Sequence, residues 1–262
     1  MPDRLIIKPF NPVFLVLFLL LAALLVGSAI LLRRKSLRTR GLVLAVVMLV
    51  NFVFYWYYKA MLSMDTAYSV ICEEAGKGAF TWWVELPFHL CNVNMILIPI
   101  AATTRWRPLC SFCFFLAPLG AFMALAMPGI GFEAYSIFLP RMYGYYITHM
   151  LIFFGGVALS AYGIYRPRFR DFPFTLLTTF GVALFAFSVS ELLRVTHLAD
   201  HANYFFTVES EGNAVLGICY RLIPLPFLYL IPCTLILLPY MTLVTLGFWL
   251  YDRLHKTPEK AE

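Results

Sequence analysis

Residues 82–103 read WWVELPFHLCNVNMILIPIAAT. The run is apolar, and it reaches the roughly 20 residues a helix needs to cross a bilayer. It nevertheless carries Glu85, His89, Cys91, Asn92 and Asn94. Ionisable and amide side chains are costly in hydrocarbon. They turn toward the protein interior, a partner or water, and they mark function by default. One such residue serves as glue between helices; five so close together ask for a polar site inside a helical bundle.

The rest of the chain agrees. Its 262 residues are 61% hydrophobic and 13% charged, whereas a soluble domain is about a quarter charged. The net charge of +6 lies in short runs between apolar segments. No basic stripe is interleaved with aromatics, so nucleic acid is not an expected partner. Working outward from 82–103, spans are expected at 10–32, 41–62, 82–103, 108–128, 141–165, 172–193 and 226–250. Basic residues follow every second span: Arg33, Arg34, Lys35, Arg38 and Arg40, then Arg105 and Arg107, then Arg166, Arg168 and Arg170, then Arg253 and Lys256. The positive-inside rule puts these loops in the cytoplasm and the N-terminus outside. The expected fold is therefore all-α: a single domain over 1–262, a polytopic bundle of seven transmembrane helices with a cytoplasmic C-terminus, in a plasma or inner cell membrane. The head MPDRLIIK imitates a signal peptide, but the apolar run continues through Ile30, Leu31 and Leu32 into the basic cluster. Tyr55, Trp56, Tyr57, Tyr58 and Lys59 are placed as an interfacial belt. Bends are expected at Pro87, Pro99, Pro118, Pro232 and Pro239.

On a continuous third helix, positions three and four apart share a face. Glu85, His89 and Asn92 then share one face, and Pro87, Cys91, Asn94 and Met95 another. Cys91 needs a partner from a different helix. Depth offers one: Cys91 lies about 14 Å below the outer end of its span, His149 about 12 Å and Asn51 about 16 Å, at 1.5 Å per residue. These depths permit a cluster of Asn51, His89, Cys91, Asn92 and His149. An imidazole beside a thiol takes its proton and stabilises the thiolate, which attacks an ester or thioester carbonyl. Asn51 or Asn92 would orient the imidazole or donate to the oxyanion. The plainer reading makes Cys91 a small apolar core residue. The alternative function is transport of ions, protons or a small solute along Glu85, His89, His149 and Glu191, although no inverted repeat is visible. A retinal-type receptor is discounted, because the seventh span holds no lysine and Lys256 lies beyond its end.

The remaining candidates carry less. Cys110 and Cys113 lack the βαβ setting of a redox motif. Cys72 and Cys219 fall in outer loops, where an oxidising exterior would permit a disulfide. His197 and His201 have i, i+4 spacing with Glu191 before them, but the Glu that follows the first His in zinc hydrolases is missing. A solvated turn is the preferred reading there. No metal or cofactor is expected, and the expected partners are the bilayer and a phospholipid or acyl-chain substrate.

Pro87-Phe88-His89-Leu90-Cys91, followed by NVNMILIPI, resembles the P-x-H-L-C segment of the YwaF-type integral membrane proteins. Tyr145-Tyr146-Ile147-Thr148-His149 resembles that family's aromatic approach to a histidine, and Ala202-Asn203-Tyr204-Phe205-Phe206 its third motif. The likeness runs from about residue 40 to 250. The chain departs at Phe205, where the family has Met, and at Ile223-Pro224-Leu225-Pro226, where it has G-P-W-P. The resemblance implies a link to phospholipid acyl transfer through a membrane cysteine and histidine, and more distantly to Thr-His hydrolases of fatty-acid esters. Carried onto this chain, it implies Cys91 as nucleophile and His149 as base, with His89 and Asn203 nearby.

Overall fold

Asn11, Ser36 and Asp65 begin the first three helices. Each side chain accepts a backbone N–H, from Phe14 at 3.0 Å, Thr39 at 3.1 Å and Tyr68 at 3.0 Å, and so satisfies one of the donors a helix start leaves open. The computed structural model describes residues 5–75, 80–211 and 213–255. Its helices are α1 (Pro12–Leu32), α2 (Leu37–Ser63), α3 (Thr66–Glu74), α4 (Leu90–Thr104), α5 (Arg107–Ala126), α6 (Pro140–Ala161), α7 (Phe172–Val195), α8 (Ala214–Leu222) and α9 (Leu230–Leu254). A two-residue strand pair, Ile6–Ile7 with Tyr135–Ser136, ties the start of the chain to the loop before α6.

Among the described residues, six helices are long and apolar enough to cross a membrane: α1, α2, α5, α6, α7 with the 3₁₀ turn before it, and α9. Helix α4 has 15 residues, about 22 Å at 1.5 Å per residue, short of the hydrocarbon core. The expected helix over 82–103 is therefore corrected, because residues 82–89 form turns and the helix begins at Leu90. Pro87 donates no amide hydrogen and turns the residue before it away from helical dihedrals. Phe88 N–H closes a local bond to the Leu86 carbonyl at 2.8 Å. Glu85, His89 and Asn92 consequently share no helix face.

The metal-like spacing also changes meaning. Helix α7 ends at Val195, and His197 sits at φ 54° with its ring bonded to Asp200 at 3.0 Å. His197 and His201 thus lie in a turn, off any helix face. Cys72, on α3, and Cys219, on α8, are both free thiols, and Cys219 packs in a cluster with Cys233 instead. Helices α3 and α8 were not expected; at nine residues each they are too short for a hydropathy reading to resolve.

The main core is made by α2, α4, α5 and α6. Its helices approach at small residues, the usual device where lipid supplies no hydrophobic drive. A Cβ on Gly41 would collide with the Ala102 carbonyl, and one on Gly144 with the Tyr58 ring. One on Gly155 would lie 2.5 Å from Met48 Sδ and 3.3 Å from Ile98. These contacts set α2 antiparallel to both α4 and α6. At the end where α1 meets α2, Arg40 donates to the Leu32 and Tyr162 carbonyls at 3.1 and 2.9 Å. Arg107 forks onto buried Asp171 with two bonds of 2.7 Å, and Tyr165 adds a third at 2.9 Å. Two of the arginines read as orientation signals are thus also clamps between helices.

Candidate functional site

Helix α2 presents Asn51, Tyr55, Tyr58 and Lys59 to the interior, all buried. Their spacing follows the helix repeat, so the aromatic run divides: Tyr57 remains exposed while Tyr55 and Tyr58 face inward. The expected belt is corrected accordingly. Lys59, buried, forms an ion pair with Glu85. Its ammonium lies 5.5 and 5.0 Å from the Tyr55 and Tyr58 ring centres. Tyr55 donates to the Glu85 carbonyl at 2.5 Å. Segment 82–89 is thereby fastened to α2 at its middle.

The other end of that segment faces a different wall. The Phe88 and His89 rings each lie 5.5 Å from Tyr204, and His89 is 5.8 Å from Phe206. Phe205 and Phe206 both have positive φ, 58° and 54°, a conformation that costs L residues about 1–2 kcal/mol each. Asn203 braces this loop, donating to the Glu209 carbonyl and the Glu211 carboxylate at 2.8 Å and accepting from Val208 N–H at 2.9 Å. It serves the loop and not the thiol. Glu191 is half-buried on α7 and makes no hydrogen bond or ion pair within the described residues.

Cys91 occupies the first turn of α4. The first intrahelical bond runs from Val93 N–H to the His89 carbonyl at 2.9 Å, and no side chain caps the helix. The amides of Leu90, Cys91 and Asn92 therefore point out of the helix end, where the dipole favours negative charge. The Cys91 sulfur faces the N–H groups of Cys91 itself and Asn92, and Lys59 lies within electrostatic range. Helix α5 makes room with Gly120, whose Cβ would lie 3.1 Å from Leu90 and 3.7 Å from Cys91 N.

His149 comes from α6 and is buried. Its Nδ1 is 2.8 Å from the Tyr145 carbonyl. A carbonyl only accepts, so Nδ1 carries the proton and the neutral ring keeps its lone pair on Nε2. The His149 ring packs 4.3 Å from the Tyr145 ring, and Tyr145 is itself within electrostatic range of Cys91. No hydrogen bond joins Cys91 to His149 among the described residues. Beneath them Asn51 donates to the Thr148 carbonyl at 3.3 Å, and Asn94 donates to the Leu90 carbonyl at 2.7 Å. The oxygens Asn51 Oδ1, Asn92 Oδ1, Asn94 Oδ1 and Thr148 Oγ1 are buried without a donor. An unpaired buried acceptor costs about 1–3 kcal/mol.

Asn51, Cys91 and His149 thus belong to one region between α2, α4 and α6, linked through Thr148 and Tyr145, and Asn92 is buried next to Cys91 in the chain. His89 stands at its edge toward the Tyr204 loop, and Glu85 joins it through Lys59. Glu191 and Asn203 are not drawn in. Tyr55, Tyr58, Lys59, Tyr145 and Thr148 were missed. Their signal was the three- and four-residue spacing from Asn51 and the approach to His149.

A helical bundle of this kind, with polar side chains gathered between apolar helices, is an integral membrane protein with a buried polar centre. The chain belongs to the TMEM164 family, whose family model matches residues 7–245. This match overturns the resemblance to YwaF-type proteins, which rested on three motifs of about five residues. Motifs that short do not separate membrane families, whereas the family model spans nearly the whole chain. No curated protein and no solved structure matches the chain.

Proposed function

We propose that this TMEM164-family protein is a lipid acyltransferase or lipid ester hydrolase, with Cys91 as nucleophile and His149 as base. The observation that carries the reading is the place of Cys91: an uncapped helix start inside the bundle, on a helix that packs against α6, whose His149 keeps Nε2 free to accept. Helix N-termini stabilise thiolates, and amides aimed at developing negative charge are the usual oxyanion donors. His149 Nε2 takes the thiol proton as sulfur attacks the ester carbonyl. The C–O bond breaks, the acyl group stays on sulfur as a thioester, and the proton passes to the departing alcohol. A second alcohol then takes the acyl group in transfer, or water takes it in hydrolysis. Catalytic hydrogen bonds often tighten only when substrate is bound. His89 and the strained Tyr204–Phe206 turn form the side wall, and Asn51 and Asn92 offer acceptors to a polar headgroup. Glu85 supports the site by holding Lys59.

The same reading takes α4 together with segment 82–89 as a seventh crossing, with the N-terminus outside and the basic loops in the cytoplasm of a plasma or inner membrane. Non-helical backbone at membrane depth is tolerated where protein covers it, as Lys59 and Tyr55 cover this segment.

The test is incubation of the reconstituted protein with a phosphatidylcholine of defined chains, followed by mass analysis of the Cys91 peptide. A hydroxylamine-sensitive acyl adduct is expected, lost in Cys91→Ser and reduced at least about 100-fold in His149→Ala, the lower end of general-base effects. Adduct formation that ignores the His149 change would remove the pair mechanism. The second reading, transport, is favoured by the buried Lys59–Glu85 pair and the unpaired amide oxygens. Vesicles holding Cys91→Ser that still move protons, in the absence of any adduct on the parent protein, would establish it instead.

A further inference from the structure

Away from the polar centre, α5, α6 and α9 enclose a groove of about 860 Å³. Its walls are apolar, with Pro118 and Phe122 from α5, Phe153 and Val157 from α6, and Leu243 and Gly247 from α9. Helix α9 stands off from α5 and crosses to it through rings, with Tyr240 donating to the Phe115 carbonyl at 3.3 Å and Phe248 packing 5.8 Å from Phe114. The groove ends near Ser160 and Arg166.

We infer that this groove holds the fatty acyl chain of a membrane glycerophospholipid, carbonyl end toward Cys91 and methyl end toward Arg166. The inference deepens the acyl-transfer reading and rests on it for the position of the carbonyl. Two lines lead from the groove, one to the first turn of α4 and one to His149. Pro118 and Leu119 line the groove, and the next residue, Gly120, is where the first turn of α4 packs, close to Cys91 N. On α6, His149 stands one turn from Phe153 along the stripe that continues through Val157 to Ser160, since positions three and four apart share a face. From His149 to Ser160 that stripe runs about 17 Å at 1.5 Å per residue. One acyl chain spans about 15 Å, half of the roughly 30 Å hydrocarbon core. A seam between membrane-spanning helices opens sideways to lipid, so a bilayer lipid is the occupant and not acyl-coenzyme A. The cations at the depth of the thiol offer its phosphates nothing, because Lys59 is paired with Glu85 and Arg141 with Asp65.

Gly247 provides the test, because a Cβ there would meet open space. Gly247→Phe fills the far end of the groove without striking the bundle. Gly181→Phe, also with open space around it but on α7 and outside the groove, is the control. The parent, these two variants and Cys91→Ser are placed in nanodiscs containing phosphatidylcholine with a diazirine at the methyl end of one chain, or at its third carbon. The methyl-end probe is expected to label Val157–Ser160 and Leu243–Gly247, and the third-carbon probe Leu90 and Leu119. Gly247→Phe should reduce the methyl-end labelling to the level of lipid-facing Leu177, with Gly181→Phe and Cys91→Ser unchanged. Labelling of the groove no stronger than that of Leu177, or the reverse order of the two probes, would overturn the inference. Groove labelling without acylation of Cys91 keeps the lipid site and removes the chemistry; acylation without groove labelling does the opposite.

Discussion

Removal of the Glu85 carboxylate isolates a charge. The Lys59 and Glu85 side chains are only 9% and 18% exposed, so in Glu85→Gln the ammonium keeps little besides the faces of Tyr55 and Tyr58. Breaking a buried pair from one side costs about 3–5 kcal/mol, and cation–π contact returns about 1 kcal/mol of that. A loss near 3 kcal/mol corresponds to a fall of about 6–12 °C in unfolding temperature for a chain of this size. Thermal unfolding of detergent-solubilised protein, followed by tryptophan fluorescence, measures it. The double variant Lys59→Met, Glu85→Gln should recover most of the fall, since an uncharged pair of similar volume leaves no orphan. Because Glu85 anchors segment 82–89, the single variant should also speed alkylation of Cys91 by a maleimide, and the double variant less so. Additive losses in the double variant, or a fall under about 2 °C in the single, would refute the view of this pair as the fastening between α2 and the approach to α4.

Three further outcomes are expected. Gly41→Val drives a side chain into the Ala102 carbonyl and should cost at least about 1–3 kcal/mol, the usual penalty of overpacking, whereas Gly181→Val, with open space around it, should stay within about 0.5 kcal/mol; paired melting curves distinguish them. Arg107→Lys gives up the planar fork on Asp171 and should lose about 1.5–3 kcal/mol, the worth of one bond to a charged group, seen as a lower unfolding temperature. Asn203→Ala removes the acceptor for Val208 and Glu209 N–H, so those two amides should exchange hydrogen faster while amides in the middle of α5 hold their protection.

Composition and charge placement determined the membrane class, because long apolar helices follow from the cost of exposing backbone to lipid. Helices α1, α2, α5, α6, α7 and α9 fall where hydropathy places them, within a few residues at their ends. The same cost singled out Cys91, His149, Asn51 and Asn92 as interior residues, since polar side chains in apolar runs have nowhere else to go. Tertiary structure decided the rest. Hydropathy is blind to whether an apolar segment is helical, so it ran 82–103 together, while Pro87 and the ties from Tyr55 and Lys59 hold 82–89 as turns. It also could not say which side of α2 its aromatics face, because Tyr and Trp suit both an interface and a buried polar wall. Which helices become neighbours depends on small residues such as Gly41, Gly144 and Gly155 finding their counterparts across the bundle. That pairing of distant positions brings the free amides of α4 and the histidine of α6 into one region, and no local pattern in the chain encodes it.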